Sequence, residues 1–194
     1  MPDSLAPEAV VPRLRGRFGH DYRYVASTES TQLLVPPEAP EGAVVVADEQ
    51  TAGRGRLGRR WLAPAGTSLL CSIQLRPEIT PERLPELTVV ASHALADAIE
   101  QLTGLRSELK FPNDLLLGGR KVAGILAEAR EGRVVAGIGV NVNIGEAELP
   151  VEVETAATSL LIKTGREIDR ADLLVELLVR LETRYDAWLR PSGE

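Results

Sequence analysis

The sequence predicts an α/β (α+β) layer fold, with a mixed, largely antiparallel sheet flanked by helices. Three observations carry that expectation. Short apolar runs of strand length outnumber the long helical stripes, of which there are two. A Gly118-Gly119 step lies between two apolar runs, as in a hairpin. The 194 residues, 44% of them hydrophobic, suffice for one domain with a true core and fall short of two. No repeat or low-complexity linker divides the chain, so helices packed on one sheet are expected instead of a doubly wound parallel sheet.

Taken in order, residues 1–21 carry prolines and arginines without apolar periodicity and read as a loose lead. Tyr22-Arg23-Tyr24-Val25-Ala26 alternates like a strand. Ser27-Thr28-Glu29-Ser30-Thr31 offers helix-capping side chains, but Pro36-Pro37 cuts any helix there short. Ala43–Ala47 and Thr67–Leu75 read as buried strands. Glu82–Leu102 reads as the first long helix: Pro85 sits in its opening turn, and Leu87, Val90, Ala91, Ala94, Leu95, Ala98 and Leu102 form one stripe. Leu109–Leu117 and Lys121–Ala129 form the expected hairpin, and Arg133–Asn143 a further strand. Asp169 caps the last helix, whose stripe runs from Leu173 to Trp188.

Composition excludes several functions. Twenty-two basic against 28 acidic side chains give a net charge of −6, which argues against a general nucleic-acid surface, and seven aromatics are too few for a base-stacking platform. One cysteine and two distant histidines, His20 and His93, exclude a disulfide framework and make a protein-built transition-metal centre improbable. Cys71, among Leu69, Leu70 and Ile73, reads as a core thiol. No apolar run reaches the ~18 residues of a membrane helix, and the N-terminus has no apolar signal core, so the cytoplasm is the expected compartment. Nineteen of the cations are arginine; the three lysines are Lys110, Lys121 and Lys163, two of them within twelve residues.

The densest chemical signal is Gly53-Arg54-Gly55-Arg56-Leu57-Gly58-Arg59-Arg60-Trp61, directly after a strand. Glycines let backbone N–H groups turn inward on an anion, and guanidinium forks bind phosphate oxygens in pairs. Gly53, Gly55 and Gly58 formally spell G-x-G-x-x-G, yet Trp61-Leu62-Ala63-Pro64 cannot open the helix a dinucleotide site requires. The Gly-Lys-Ser/Thr of a P-loop is also missing. A phosphate-binding loop remains the better reading. A solvated or nucleic-acid-facing loop is the alternative, and it predicts steeply salt-dependent affinity for DNA or RNA.

Lys110-Phe111-Pro112-Asn113-Asp114 and Gly119-Arg120-Lys121-Val122-Ala123-Gly124 make a second constellation. On adjacent strands, a carboxylate, an amide and two ammonium groups could hold Mg²⁺, phosphate and a reacting carboxylate. Strand alternation puts Lys121, Ala123 and Ile125 on one face. The plainer reading is a turn at Asn113-Asp114 and a solvated Lys121. In Gly137-Ile138-Gly139-Val140-Asn141-Val142-Asn143, two asparagines in a valine-rich strand need partners if buried, through a ligand or a strand-end turn.

In this order, these segments resemble the catalytic domain of biotin protein ligases. The matching motifs are Ser30-Thr31, Asp48–Trp61, Lys110–Leu115, Gly119–Leu126, Gly137–Asn143 and Ala157-Thr158-Ser159-Leu160, so the resemblance runs from about Tyr24 to Trp188. It implies the fold shared by class II aminoacyl-tRNA synthetases and biotin synthetases, with residues 22–190 as the catalytic domain. It implies a ligase that joins biotin and Mg-ATP into biotinyl-5′-adenylate, then passes biotin to a lysine of a biotin carboxyl carrier domain. Biotin and ATP would be substrates, with no tightly bound prosthetic group.

By the same resemblance, Ser30, Thr31, Gln50, Gly53, Arg54, Trp61 and Lys121 would hold biotin. Arg56, Arg59, Lys110, Asn113, Asp114 and Asn141 would meet the nucleotide. Lys121 and Arg56 would be catalytic, and Asp114 would bind Mg²⁺. Nucleic acid and membrane are not expected partners, and open strand edges could pair into a homodimer. The pattern departs from the family at Gln32, where asparagine is usual. The roughly thirty residues before Ser30 are too few for a winged-helix DNA-binding domain, and at Glu194 relatives continue into a barrel-like module. A lipoate ligase-like enzyme and a non-catalytic biotin-binding module are the competing readings.

Overall fold

The computed structural model describes residues 4–149 and 156–190. Its elements in chain order are α1 (Pro7–Val10), β1 (Tyr22–Thr28), β2 (Val44–Gln50), β3 (Gly53–Arg54), β4 (Arg60–Trp61) and β5 (Ser68–Leu75). Then follow α2 (Leu84–Thr103), β6 (Glu108–Lys110), β7 (Asp114–Leu117), β8 (Arg120–Arg130), β9 (Arg133–Asn141), α3 (Leu160–Thr164) and α4 (Arg170–Leu189). Seven strands form one sheet in the order β1-β2-β5-β9-β8-β7-β6. Only the β1–β2 pairing is parallel; the others are antiparallel. The expected architecture is therefore present.

Alternation along the central strands divides the sheet into a packed face and a working face. Cys71, Ile73 and Leu75 of β5, Ile138 and Val140 of β9, and Ile125 of β8 join Leu87, Leu95 and Ile99 of α2 and Leu174, Leu177 and Leu181 of α4 in one buried core. Ser68, Leu70 and Ser72 of β5 and Gly137, Gly139 and Asn141 of β9 take the alternate positions on the other face. Helix α4 starts where Asp169 accepts hydrogen bonds from the backbone N–H groups of Ala171 and Asp172. Helix α2 stops at Gly104, whose φ of 73° is the left-handed conformation that ends helices.

Two expectations are corrected. The lead is not loose: within residues 4–21, Leu5, Val10 and Phe18 are buried in the core, and Arg13, Arg15 and Arg17 pair with carboxylates of α4. The carboxylates that these arginines meet lie more than 150 residues along the chain, which a search for local apolar periodicity does not register. The run Leu109–Leu117 is not one strand but two, β6 and β7, paired across a turn at Phe111-Pro112-Asn113 that contains a cis Phe111–Pro112 bond. A short 3₁₀ turn, Thr31–Leu33, stands where the prolines allow no longer helix.

Candidate functional site

A cavity of about 560 Å³ opens on the sheet face away from α2 and α4. Its walls bring together Ser30, Thr31, Gln50, Arg54, Arg56, Arg59, Trp61, Lys110, Asn113, Asp114, Lys121 and Asn141. Of the residues singled out in the sequence, Gly53 is not on the wall. A Cβ there would stand 2.6 Å from the Trp61 carbonyl oxygen, so Gly53 allows β3 to pair closely with β4.

Glycines build the floor. Gly124 of β8 lies opposite Gly139 of β9, and Leu126 opposite Gly137. The Trp61 indole rests on this floor, 2.7 Å from where a Gly139 Cβ would be and 3.2 Å from a Gly124 Cβ. Gln32 lies over Gly137, whose Cβ would meet its Nε2 at 2.7 Å. The glycine alternation in 137–139 was legible as a sign of close approach, yet the floor and the buried Gln32 went unassigned in the sequence reading.

Lys121 reaches the cavity through a β-bulge. Opposite the step from Leu116 to Leu115 on β7, β8 advances from Lys121 to Ala123, so Val122 is the extra residue. Simple alternation would share a face among Lys121, Ala123 and Ile125. Instead, Ala123 and Ile125 enter the core, while Lys121 lies on the cavity side with Gly124. Lys121, beside the extra residue, is held by the segment that opens the Ala157–Leu160 motif, to which the sequence reading assigned no role: Lys121 N–H donates to the Ala156 oxygen (2.9 Å), and Thr158 N–H donates to the Lys121 oxygen (2.8 Å). Asn141 in turn donates its Nδ2 to the Thr158 oxygen (3.0 Å). Asn143 bridges to Ile168 through both amide atoms, a strand-end tie remote from the cavity wall.

Lys121 Nζ stands 3.6 Å from Asp114 Oδ1 and 5.5 Å from the centroid of the Trp61 ring. Both ionic side chains are mostly buried, at 13% and 17% exposure. Asn113 Nδ2 also donates to Asp114 Oδ1 (3.3 Å). The four-arginine segment forms a ribbon, β3 with β4, joined by a 3₁₀ turn over Arg56–Gly58. Gly55 N–H and Arg59 N–H donate to carbonyls within this ribbon, so these two groups are not turned inward as a backbone nest. Leu57 at the tip has a φ of 58° and is 85% exposed.

At the opposite end, Gln50 Oε1 accepts from Thr31 N–H (2.8 Å) and Thr31 Oγ1 (3.1 Å), which leaves its Nε2 as a donor. Gln32 is oriented the other way, with Nε2 donating to the Leu126 oxygen (2.8 Å). Its Oε1 is buried without a protein partner, as are Trp61 Nε1 and Asn141 Oδ1. Each unpaired buried polar atom costs about 1–3 kcal/mol; three of those among the described residues belong to cavity-wall residues, and Ser68, Ser107, Arg133 and Thr158 carry others away from it. Cys71 borders the cavity, but burial pushes its thiol up to about 12, which suits the core reading and removes it as a nucleophile.

Among the described residues no group of three carboxylate, histidine or cysteine side chains could cage a metal. The model of the Biotin/lipoate A/B protein ligase family matches residues 24–145, more than half of the chain. The chain belongs to that family. It is 42% identical over 167 residues to the bifunctional ligase/repressor BirA of Bacillus subtilis, covering 83% of this chain and 51% of that protein. It is 38% identical over 175 residues to the biotin–[acetyl-CoA-carboxylase] ligase of Paracoccus denitrificans, covering 86% and 72%. The structure of the biotin protein ligase from Aquifex aeolicus in complex with biotin and ATP superposes with a TM-score of 0.79 at 34% identity, over 87% of this chain and 72% of that one. The chain spans about half the length of its Bacillus relatives.

Proposed function

We propose that this protein is an ATP-dependent biotin–[biotin carboxyl carrier protein] ligase. The observation that carries the reading is one cavity that gathers Gln50, Trp61, Lys121 and the ribbon arginines. Gln50, its Oε1 held by Thr31, keeps Nε2 as a donor suited to the C=O of a cyclic urea. A dithiolane ring has no such acceptor, so a lipoate-like ligand would leave that donor without its partner. In this reading Ser30 and Thr31 lie beside Gln50, Arg54 and Trp61 line the cavity with Trp61 against the acyl chain, and Gly53 acts only by letting β3 pair closely with β4.

The cations then suit the chemistry. A biotin carboxylate oxygen attacks the α-phosphorus of ATP, forming a P–O bond as the bond to the pyrophosphate oxygen breaks. Two anions must approach, and Lys121, with Arg56 and Arg59 above, offsets their repulsion and stabilises the developing charge. In the second step the amine of a carrier lysine attacks the acyl carbon, AMP leaves with the electron pair of the C–O bond, and the amine proton passes to solvent. Lys110, Asn113 and Asn141, which also line the cavity, are assigned to the nucleotide in this reading. Asp114 is the carboxylate fitted to Mg²⁺, which commonly takes one protein carboxylate and completes its shell with phosphate oxygens and water. When bound, the ion would neutralise phosphate charge.

Supporting context is the family membership and the Aquifex enzyme's complex with biotin and ATP. No helix among the described residues is long and apolar enough to cross a membrane, and the reading assigns the protein to the cytoplasm. The open edges at β1 and β6 offer a route to a homodimer, readable by sedimentation. The deciding experiment incubates the chain with biotin, ATP, Mg²⁺ and a carrier domain. Pyrophosphate release and a biotin-sized mass gain on one carrier lysine are expected, with no gain when lipoate replaces biotin. Absence of both signals with biotin would defeat the assignment; binding of biotin without them would leave a binding module.

A further inference from the structure

Glu128 lies outside the cavity, on β8 two residues beyond Leu126, and its carboxylate is gripped from two directions. Arg54 reaches Oε1 with Nη2 at 2.9 Å and Oε2 with Nη1 at 3.2 Å. Arg130 donates Nη2 to Oε2 at 2.7 Å and, through Nη1, donates to the Gln32 carbonyl oxygen at 3.1 Å. A continuous polar chain therefore runs from the arginine ribbon, over the edge of β8, to the segment that carries Ser30, Thr31 and Gln32.

Neither end of that chain belongs to the main sheet. β3 pairs with β4 in a separate ribbon, and Thr31–Leu33 is an isolated 3₁₀ turn. Four arginines in such a short ribbon repel one another, and a fixed carboxylate beneath one of them favours the lowered position over a swung-out one. Glu128 and Arg54 are 24% and 45% exposed, so the pair adds little to global stability. Its effect falls on which conformation the ribbon holds before a ligand arrives.

We propose that Glu128 is a positioning residue, a latch whose charge holds the Arg54 ribbon over the closed end of the cavity. Through Arg130 it also holds the Gln32 segment against the Gly137 floor. The ligand then meets an assembled pocket and the ordering cost at binding is reduced. The ligand named here rests on the biotin reading above; the latch itself is a property of the unliganded chain.

Glu128→Gln keeps the shape and removes the charge, and Arg130→Gln cuts the second arm. Three measurements on the full chain test the latch: trypsin cleavage at the ribbon arginines without ligand, biotin affinity by calorimetry without ATP, and Tm. For Glu128→Gln, cleavage about fivefold faster and biotin binding about fivefold weaker are expected, with Tm nearly unmoved. Arg130→Gln should weaken biotin with less effect on cleavage. High salt should bring the wild type toward Glu128→Gln, because a screened latch is no latch. Unchanged cleavage and affinity in both variants overturn the latch while leaving the biotin reading standing, and general cleavage along the chain with a large fall in Tm overturns it too. If the wild type binds no biotin yet Glu128→Gln still exposes the ribbon, the latch stands and the biotin reading falls.

Discussion

Two short arginine-rich segments of this chain, Arg13–Arg17 and Arg54–Arg60, are alike in composition and opposite in use. In the first, each guanidinium meets carboxylates: Arg13 pairs with Asp169 and Asp172, Arg15 with Glu176, and Arg17 with Glu182 and Asp186. In the second, Arg54 meets Glu128 and Arg60 donates to the Thr51 oxygen, while Arg56 and Arg59 face the cavity. Among the described residues no carboxylate lies within ion-pair distance of the Arg56 guanidinium. Where the protein supplies the counter-ion, the arginine fastens structure. At Arg56, where that counter-charge is missing, the ligand brings it in the proposed function.

The largest expected effect is at a cation that has a protein counter-ion, Asp114, and still faces the cavity: Lys121→Ala. Loss of one charge-stabilising donor at a developing oxyanion costs on the order of 10²–10³ in rate. Pyrophosphate release with biotin and ATP should fall by that much, while biotin binding, which the proposed reading assigns chiefly to the Gln50 end, should weaken far less. Equal losses in both would mean that Lys121 supports the cavity's shape and not its chemistry.

A smaller effect is expected from Gly139→Ala. The added Cβ would come within 2.7 Å of the Trp61 indole, which must lift from the floor. Overpacking of this kind costs about 1–3 kcal/mol, so biotin affinity should drop roughly tenfold or more, with the sheet still folded by circular dichroism. Unchanged affinity would show that the ligand does not use the indole as a wall. The same methyl at Gly132, with φ 75° in the β8–β9 turn and nothing within 4 Å, should leave binding intact and touch only stability.

These contrasts also show which parts were legible from sequence. The strands and the two long helices were readable from apolar period and the arginine ribbon from its clustered cations, while Ser30, Thr31, Gln50 and Trp61 came from the family resemblance and the glycine floor from neither. The bulge at Val122 was not. Alternation assigned Lys121 to the side of Ala123 and Ile125, and only the register against β7 shows the extra residue that moves it. The segment Ala156–Thr158, which holds Lys121 by backbone hydrogen bonds, leaves no side-chain trace of that role. Gln32 was noted as a departure and not as a contact, since its position over Gly137 depends on two segments far apart in sequence. The Arg13–Arg17 strap was missed because its partners lie more than 150 residues away, on α4.

The smallest effect belongs to that strap, and pH sharpens it. The hydrogen bond from Arg17 holds the Asp186 carboxyl below its ordinary value, helped by the charge of Arg17 and opposed by burial. Burial works to raise Asp169 and Glu176, but backbone N–H groups with Arg13 prevail at Asp169, and Arg15 with Arg180 prevail at Glu176. A carboxylate depressed in the folded state contributes stability above its unfolded pKa and loses it as pH falls through the folded one. At neutral pH the double variant Arg15→Gln with Arg17→Gln should therefore melt about 3 °C lower than the wild type. As pH falls through and below the ordinary carboxylate range, that gap should close, because the wild type loses the same ion pairs by protonation. Biotin affinity at neutral pH should not change in the variant, since the strap lies against α4 on the packed face of the sheet. A gap that persists in acid would assign the strap's contribution to packing of the Phe18 segment in place of its charges.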